Sequence, residues 1–366
     1  MSTDQRVMLA DTLDRLFRDH APRRAAVSEG WNAALWAQLE DIGLAQLLVP
    51  EAAGGVGGDW EDAHVVAHAV GAHAVALPVG EMMLARALAA RCGLQLAGRV
   101  VGLAATSTGT LELSADGGGR FTGSLYGVPW GRHMDEFVTL LERGGQAWLA
   151  AVPRAAAGAV AESGNPAGEP RDKLSFDAVP VRAVACAPSL ARDILYLSAL
   201  LRVGQIAGAL QTVLAMSVAY ARDRVQFGKP IALFQAVQQQ LAVFAAEVAA
   251  AGCAARSAFR SAARGDAHFE IAAAKLRANL AIDTGTAIAH QVHGAIGFTR
   301  EYELRHFTQR LWSWRSEFGN DRYWSEALGQ AVIARGVDEF WADLTRRGDA
   351  AATAVAPDLD EQRAAA

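Results

Sequence analysis

Between Ala191 and His293 the chain runs in long stretches rich in alanine, leucine and arginine, with apolar residues at helical spacing, and these stretches break only twice. The first break holds Gly228 and Pro230, and the second lies between Arg264 and Phe269. The pattern predicts helices over about 191–222, 234–264 and 269–293, with one more over 323–346. Helices of this length on short connections lie antiparallel, so a four-helix bundle is expected, with outer faces that pair readily with another subunit. The chain has 366 residues, 52% of them hydrophobic, and exceeds the size at which a single core stops growing, so two or three subdomains are expected.

The remainder supplies them. Apolar residues at helical spacing over about 7–21, 31–41, 60–73 and 80–92 predict an N-terminal helical domain spanning 1–100. From Val100 glycine, threonine, serine and aspartate become frequent. Alternating segments at Phe121–Val128, Phe137–Leu141, Ala147–Val152 and Val179–Val184 predict a β-domain over 101–188. The helical bundle follows over 189–346, and 347–366 has no periodic face and reads as a flexible tail. The expected class is α+β: helical domain, β-domain, helical bundle.

Charge and composition exclude several functions. Thirty-four basic against 39 acidic residues give a net charge of −5 with no basic tract, so no nucleic-acid partner is expected. The opening residues resemble neither a signal nor a transit peptide, and no apolar run is expected to cross a bilayer. Cys92, Cys186 and Cys253 are isolated, which fits reduced thiols in a cytoplasmic protein. His64, His68 and His73 come nearest to ligand spacing, but no further ligand follows at zinc spacing, and no metal is expected.

The corner between the first two long helices reads Arg224-Val-Gln226-Phe227-Gly-Lys-Pro230-Ile, with Phe234-Gln235 four residues on. An ordinary helix hairpin with solvated cations accounts for it locally. Alternatively, Arg224, Gln226, Phe227 and Gln235 converge on one ligand, the guanidinium for phosphate, the amides for hydroxyls and the ring for an aromatic base. This run resembles the flavin corner of the acyl-CoA dehydrogenase family. Two more segments resemble that family: Pro50-Glu-Ala-Ala-Gly-Gly-Val-Gly, and Gln291-Val-His-Gly294-Ala-Ile-Gly297-Phe-Thr-Arg-Glu301-Tyr302. The resemblance implies a β-barrel between two helical domains and FAD as cofactor. It further implies that Arg224, Gln226, Phe227, Phe234, Gln235, Gln291, Gly294 and Gly297 belong to a flavin site, several of them reaching a neighbouring subunit's FAD.

The chain also departs from that family. The strand that offers a Trp and, two residues on, a Thr or Ser to the flavin ring has Gly127 and Pro129 at those places, and proline lacks both hydroxyl and N–H. The loop that supplies further polar contacts has no counterpart in Ala104–Leu111. Dehydrogenation of an acyl-CoA thioester needs a carboxylate at the α-carbon. Counting from Glu301-Tyr302, the family's base position holds Phe318. Glu317 lies one residue away and is expected to point elsewhere, and the alternative places in the first long helix read Ser198 and Ala199.

Three readings stand. The chain is the base-lacking subunit of a heteromeric acyl-CoA dehydrogenase, paired with a homologous subunit. Or it is a self-sufficient homotetrameric dehydrogenase drawing on Glu317 or another carboxylate. Or it is a non-enzymatic helical assembly protein that has lost its flavin. The first two imply an acyl-CoA substrate and an electron-transfer flavoprotein or similar acceptor.

Overall fold

The computed structural model of the chain describes residues 1–20, 30–113 and 118–353. Four helices open it: α1 (Thr3–His20), α2 (Ala33–Asp41), α3 (Trp60–Ala72) and α4 (Val79–Cys92). Their starts follow local chemistry. The Asn32 side chain accepts from Leu35 N, and Asp59 forms a capping box with Asp62. Arg6 then ties α1 to the start of α3, donating to Asp62 at 2.7 Å, Asp59 at 2.9 Å and Glu61 at 3.0 Å.

Seven strands follow: β1 (Val101–Ala104), β2 (Thr106–Leu113), β3 (Gly119–Pro129), β4 (Glu136–Arg143), β5 (Gln146–Pro153), β6 (Ala159–Ala161) and β7 (Arg171–Cys186). The four expected strand segments fall in β3, β4, β5 and β7. The sheet runs β1-β4-β5-β7-β3-β2, with β6 on β7, and β1–β4 is its parallel pair. Strand β7 is long enough to pair with β3 over its first part and with β5 over its last, so it curls the sheet on itself. Phe121, Leu125, Phe137, Val152, Leu174 and Phe176 fill the inside of the curl. The implied barrel is therefore a curled sheet whose hydrogen-bonded path ends at β1 and β2.

Helix α5 (Leu190–Asp223) leads into a short hairpin, β8 (Val225–Gln226) and β9 (Lys229–Pro230), and then α6 (Gln235–Arg264) and α7 (His268–His293). The order ends with α8 (Leu304–Ser316), α9 (Asp321–Arg335) and α10 (Val337–Thr353). Helix α5 is the axis of the fold. Its Gly208 lies where a Cβ would come within 2.0 Å of His68 O, and Gly71 of α3 where one would come within 1.9 Å of Gln205 O, so the two backbones touch.

Several expectations need correction. Helix α8 was not foreseen. The single last helix is two, parted at Gly336, whose φ of 84° an L-residue resists. Helix α10 continues past the expected boundary at 346, and Arg347, assigned to a flexible tail, pairs with Glu270 at 2.9 Å. Of that tail, 354–366 lie outside the described residues, as does Ala21 at the expected end of the first helix. Finally, α5 and α6 are each long and apolar enough to cross a membrane by length and composition. The apolar window of α5 is 78% buried inside the bundle, which is what a core helix requires; that of α6 is only 22% buried.

Candidate active site

A cavity of about 380 Å³ opens where the three parts of the chain meet. Its walls are Leu103, Tyr126, Gly127 and Pro129 from the sheet, Ile194 and Leu195 from α5, and Phe318. Three charged residues also line it: Glu81 from α4, Arg171 from β7 and Glu317. They belong to a buried ionic chain that crosses every part of the fold. Arg202 of α5 donates to Glu81 at 2.6 Å and lies 2.7 Å from Glu317 Oε2, an ion-pair contact outside hydrogen-bond alignment. Arg171 holds Glu317 Oε1 from Nη2 at 2.7 Å and from Nε at 3.0 Å, and Asn165 Nδ2 donates to the same oxygen at 3.1 Å. Glu169 accepts from Arg171 at 3.2 Å, Arg310 at 3.3 Å and the Trp314 indole at 3.1 Å. Burial disfavours its charge, but Arg171, Arg310 and Arg202 outweigh that and hold it near about 2.

Glu317 and Phe318 were expected to point apart. They line the same cavity, because Phe318 adopts a left-handed conformation with φ 55° in place of an extended turn. A bulky residue rarely holds this conformation, and the surroundings enforce it. Upstream, the buried Lys275 ammonium donates to Trp314 O and Arg315 O at the end of α8 and to Asn279 Oδ1, while Asn279 Nδ2 donates to Arg315 O. Downstream, the Trp324 indole donates to Gly319 O at 3.1 Å. The Arg202 guanidinium lies 5.5 Å from the Phe318 ring centroid.

The Lys275 cap makes a testable contribution to stability. Burial, and then Arg202, lower its pKa from 10.5 to about 7. Between those values the unfolded chain keeps a proton that the folded chain has released, so stability should rise with pH from about 7 to 10.5. Urea unfolding at pH 7 and 9.5 should show that rise in the wild type and a flatter one in Lys275→Met. Equal slopes would remove Lys275 from the account.

The flavin-corner residues sit elsewhere. Phe227 and Gly228 are the loop of the β8–β9 hairpin, with φ 52° and 79°, the pattern of a type I′ turn. Asparagine or glycine suits the first place; this chain puts a phenylalanine there, 92% exposed. The side chains of Arg224, Gln226, Gln235 and Gln291 are exposed and have no hydrogen-bond or ion-pair partner among the described residues. Gly294 ends α7 at φ 63°, ψ −146°, a conformation essentially reserved for glycine. Tyr220 of α5 stacks on His293 of α7 at 4.5 Å, so both clusters share one end of the bundle. Two assigned residues are less open, Phe234 half-buried and Gly297 buried. Phe234 packs under Lys229 Nζ at 4.4 Å, and a Cβ on buried Gly297 would lie 3.1 Å from His293 Cβ and Leu304 Cδ2.

Distance separates the two sites. Ile194 of α5 and Arg224, which caps that helix, are thirty residues apart, about 45 Å at 1.5 Å per residue, so the corner lies far from its own chain's cavity. The corner's free guanidinium, exposed ring and glycine-only turn fit the diphosphate and adenine half of FAD. The cavity strand fits the ring half poorly, since Gly127 brings no side chain and Pro129 neither hydroxyl nor N–H.

The residues that sequence reasoning missed are Glu81, Glu169, Arg171, Arg202 and Arg310. Two of the helical ones are lone charges inside apolar runs, Glu81 before Met82-Met83-Leu84 and Arg202 between Leu201 and Val203, whereas Arg310 follows Thr308-Gln309 in a polar stretch that does not mark it. For Glu81 and Arg202 the lone charge was the available signal.

Residues 189–333 match the model of the acyl-CoA dehydrogenase C-terminal domain, and residues 3–98 that of the acyl-CoA dehydrogenase N-terminal domain. Acyl-CoA dehydrogenase IpdE2 of Mycobacterium tuberculosis is 28% identical over 315 residues, covering 84% of this chain and 91% of that protein. Among solved structures, the ChsE4-ChsE5 complex from Mycobacterium tuberculosis is similar at TM-score 0.78 and 22% identity, over 92% of this chain and 99% of that one. A variant of the Tcur3481-Tcur3483 steroid ACAD is similar at TM-score 0.80 and 22% identity, over the same shares. At these identities the two structures speak to fold alone.

Proposed function

Because the chain belongs to the acyl-CoA dehydrogenase family of FAD-dependent oxidoreductases, we propose that it is the base-lacking subunit of a heteromeric acyl-CoA dehydrogenase, lending half of an FAD site to a homologous partner. The observation that carries this reading is Phe318, a benzyl group at the family's base position, with the neighbouring Glu317 tied by Arg171 and Arg202. Bound FAD supplies a hydride acceptor for the substrate's β-carbon. The chain's own part is to bind and orient. Arg224 grips the diphosphate with charge-assisted hydrogen bonds, Phe227 offers an apolar face to the adenine, and Gln235 and Gln291 supply amides for the remaining polar edges. The 45 Å between corner and cavity supports donation across an interface, and the exposed apolar side of α6, which starts at that corner, supports a large one. Electrons would leave to an electron-transfer flavoprotein or similar acceptor. A homotetramer using Glu317 as base would first have to free a carboxylate that three side chains hold.

The experiment is a flavin spectrum of the chain purified alone and together with its homologous partner. Flavin should be substoichiometric alone and stoichiometric in the complex. A charge-assisted bond is worth about 1.5–3 kcal/mol, so Arg224→Ala should weaken flavin retention by roughly one to two orders of magnitude. Full flavin in that variant complex after dilution and gel filtration would show that Arg224 does not bind the phosphates.

A further inference from the structure

A second cavity, of about 540 Å³, lies between α6, α7 and α10, far from the flavin corner. Gln235 and Arg256 are twenty-one residues apart on α6, about 30 Å at 1.5 Å per residue. The wall that α6 gives it carries one dipeptide twice, Arg256-Ser257 and Arg260-Ser261. Residues four apart on a helix share a face about 6 Å from each other, so two guanidinium forks and two hydroxyls follow one another along the wall. The other charges of the cavity cancel: Arg277 pairs with Glu247, and Arg347 with Glu270 and Asp266. Arg256 donates only to Cys253 Sγ, at 3.3 Å, and Arg260 has no hydrogen bond or ion pair among the described residues. The positive field extends to α3, where burial, then His68 and Arg256, push His64 down to about 4.

We propose that this cavity binds a diphosphate-bearing anion, with the Arg256 and Arg260 forks on its two phosphoryl groups and Ser257 and Ser261 donating beside them. Guanidinium forks match phosphoryl oxygens two at a time, and one helix turn suits the two ends of a diphosphate. A lone carboxylate would engage only one of the forks. The ligand is free diphosphate or the diphosphate of a nucleotide or coenzyme, and the pair of forks is the shared recognition element.

Calorimetric titration of the full purified chain with pyrophosphate, ADP and CoA at low ionic strength tests it. Pyrophosphate should bind saturably at one site per chain, and Arg256→Ala/Arg260→Ala should weaken that binding roughly tenfold to a hundredfold. Arg256→Lys/Arg260→Lys, which keeps charge and fold but loses the forks, should weaken it less. ADP or CoA binding more tightly than pyrophosphate, with the same sensitivity, assigns the site to a nucleotide or coenzyme; weaker binding assigns it to free diphosphate. No saturable binding of any of the three, or binding that survives the double alanine variant but falls with Arg224→Ala, would overturn the proposal.

Discussion

Given an acyl-CoA and an artificial electron acceptor, the purified chain alone is expected to show no dehydrogenation, and addition of its homologous partner to restore it. The reason is geometric. On the proposed division of labour Phe318 takes the place of the carboxylate that would meet the α-proton, and the loss of a general base removes about 10²–10⁴-fold in rate. Glu317 lines the same cavity but spends one oxygen on Arg171 and Asn165 and the other on Arg202. Taking a proton would require breaking those contacts. Accordingly, Glu317→Gln in the complex should cost less than roughly tenfold in rate, below the usual range for a general base. Activity of the lone chain that disappears with Glu317→Gln would falsify the division of labour and return the base role to Glu317.

How much of this was legible in the sequence depends on the range of the interactions. The corner at Arg224 was readable because its turn chemistry is local: Gly228 and Pro230 punctuate a strong helical period, and a few residues on either side fix the hairpin. The left-handed conformation of Phe318 was not readable. It is imposed by Lys275 and Asn279 on α7 and Trp324 on α9, none of them adjacent in sequence. Helix α8 hides because Arg310 interrupts its apolar face with a charge whose partner, Glu169, stands in the segment before β7. The break at Gly336 was passed over because the helical period resumes at once on the far side.

Replacing Arg202 should cost the fold several kcal/mol in stability, about 3–5 by the usual scale for a broken buried ion pair. The side chain is 4% exposed and stands between two carboxylates from different parts of the fold, Glu81 on α4 and Glu317 after α8. Removing one partner of a buried ion pair strands the other charge and typically costs about 3–5 kcal/mol; here Glu81 is stranded, while Glu317 loses one of its two cations and keeps Arg171. Arg202→Met keeps most of the volume, so packing loss contributes little and the deficit reports mainly electrostatics. A double-mutant cycle separates the two terms. If the stranded Glu81 carboxylate causes the loss, Arg202→Met/Glu81→Gln should recover part of it, with a coupling of about 0.5–3 kcal/mol by urea unfolding. A buried, fully charged chain is weak support for net stability, because well-packed apolar residues often replace such groups without penalty. Arg202→Met unfolding within about 1 kcal/mol of wild type would mean that water or rearrangement already screens Glu81 and Glu317. The carboxylate beside Phe318 would then be free enough to reopen its candidacy as a base.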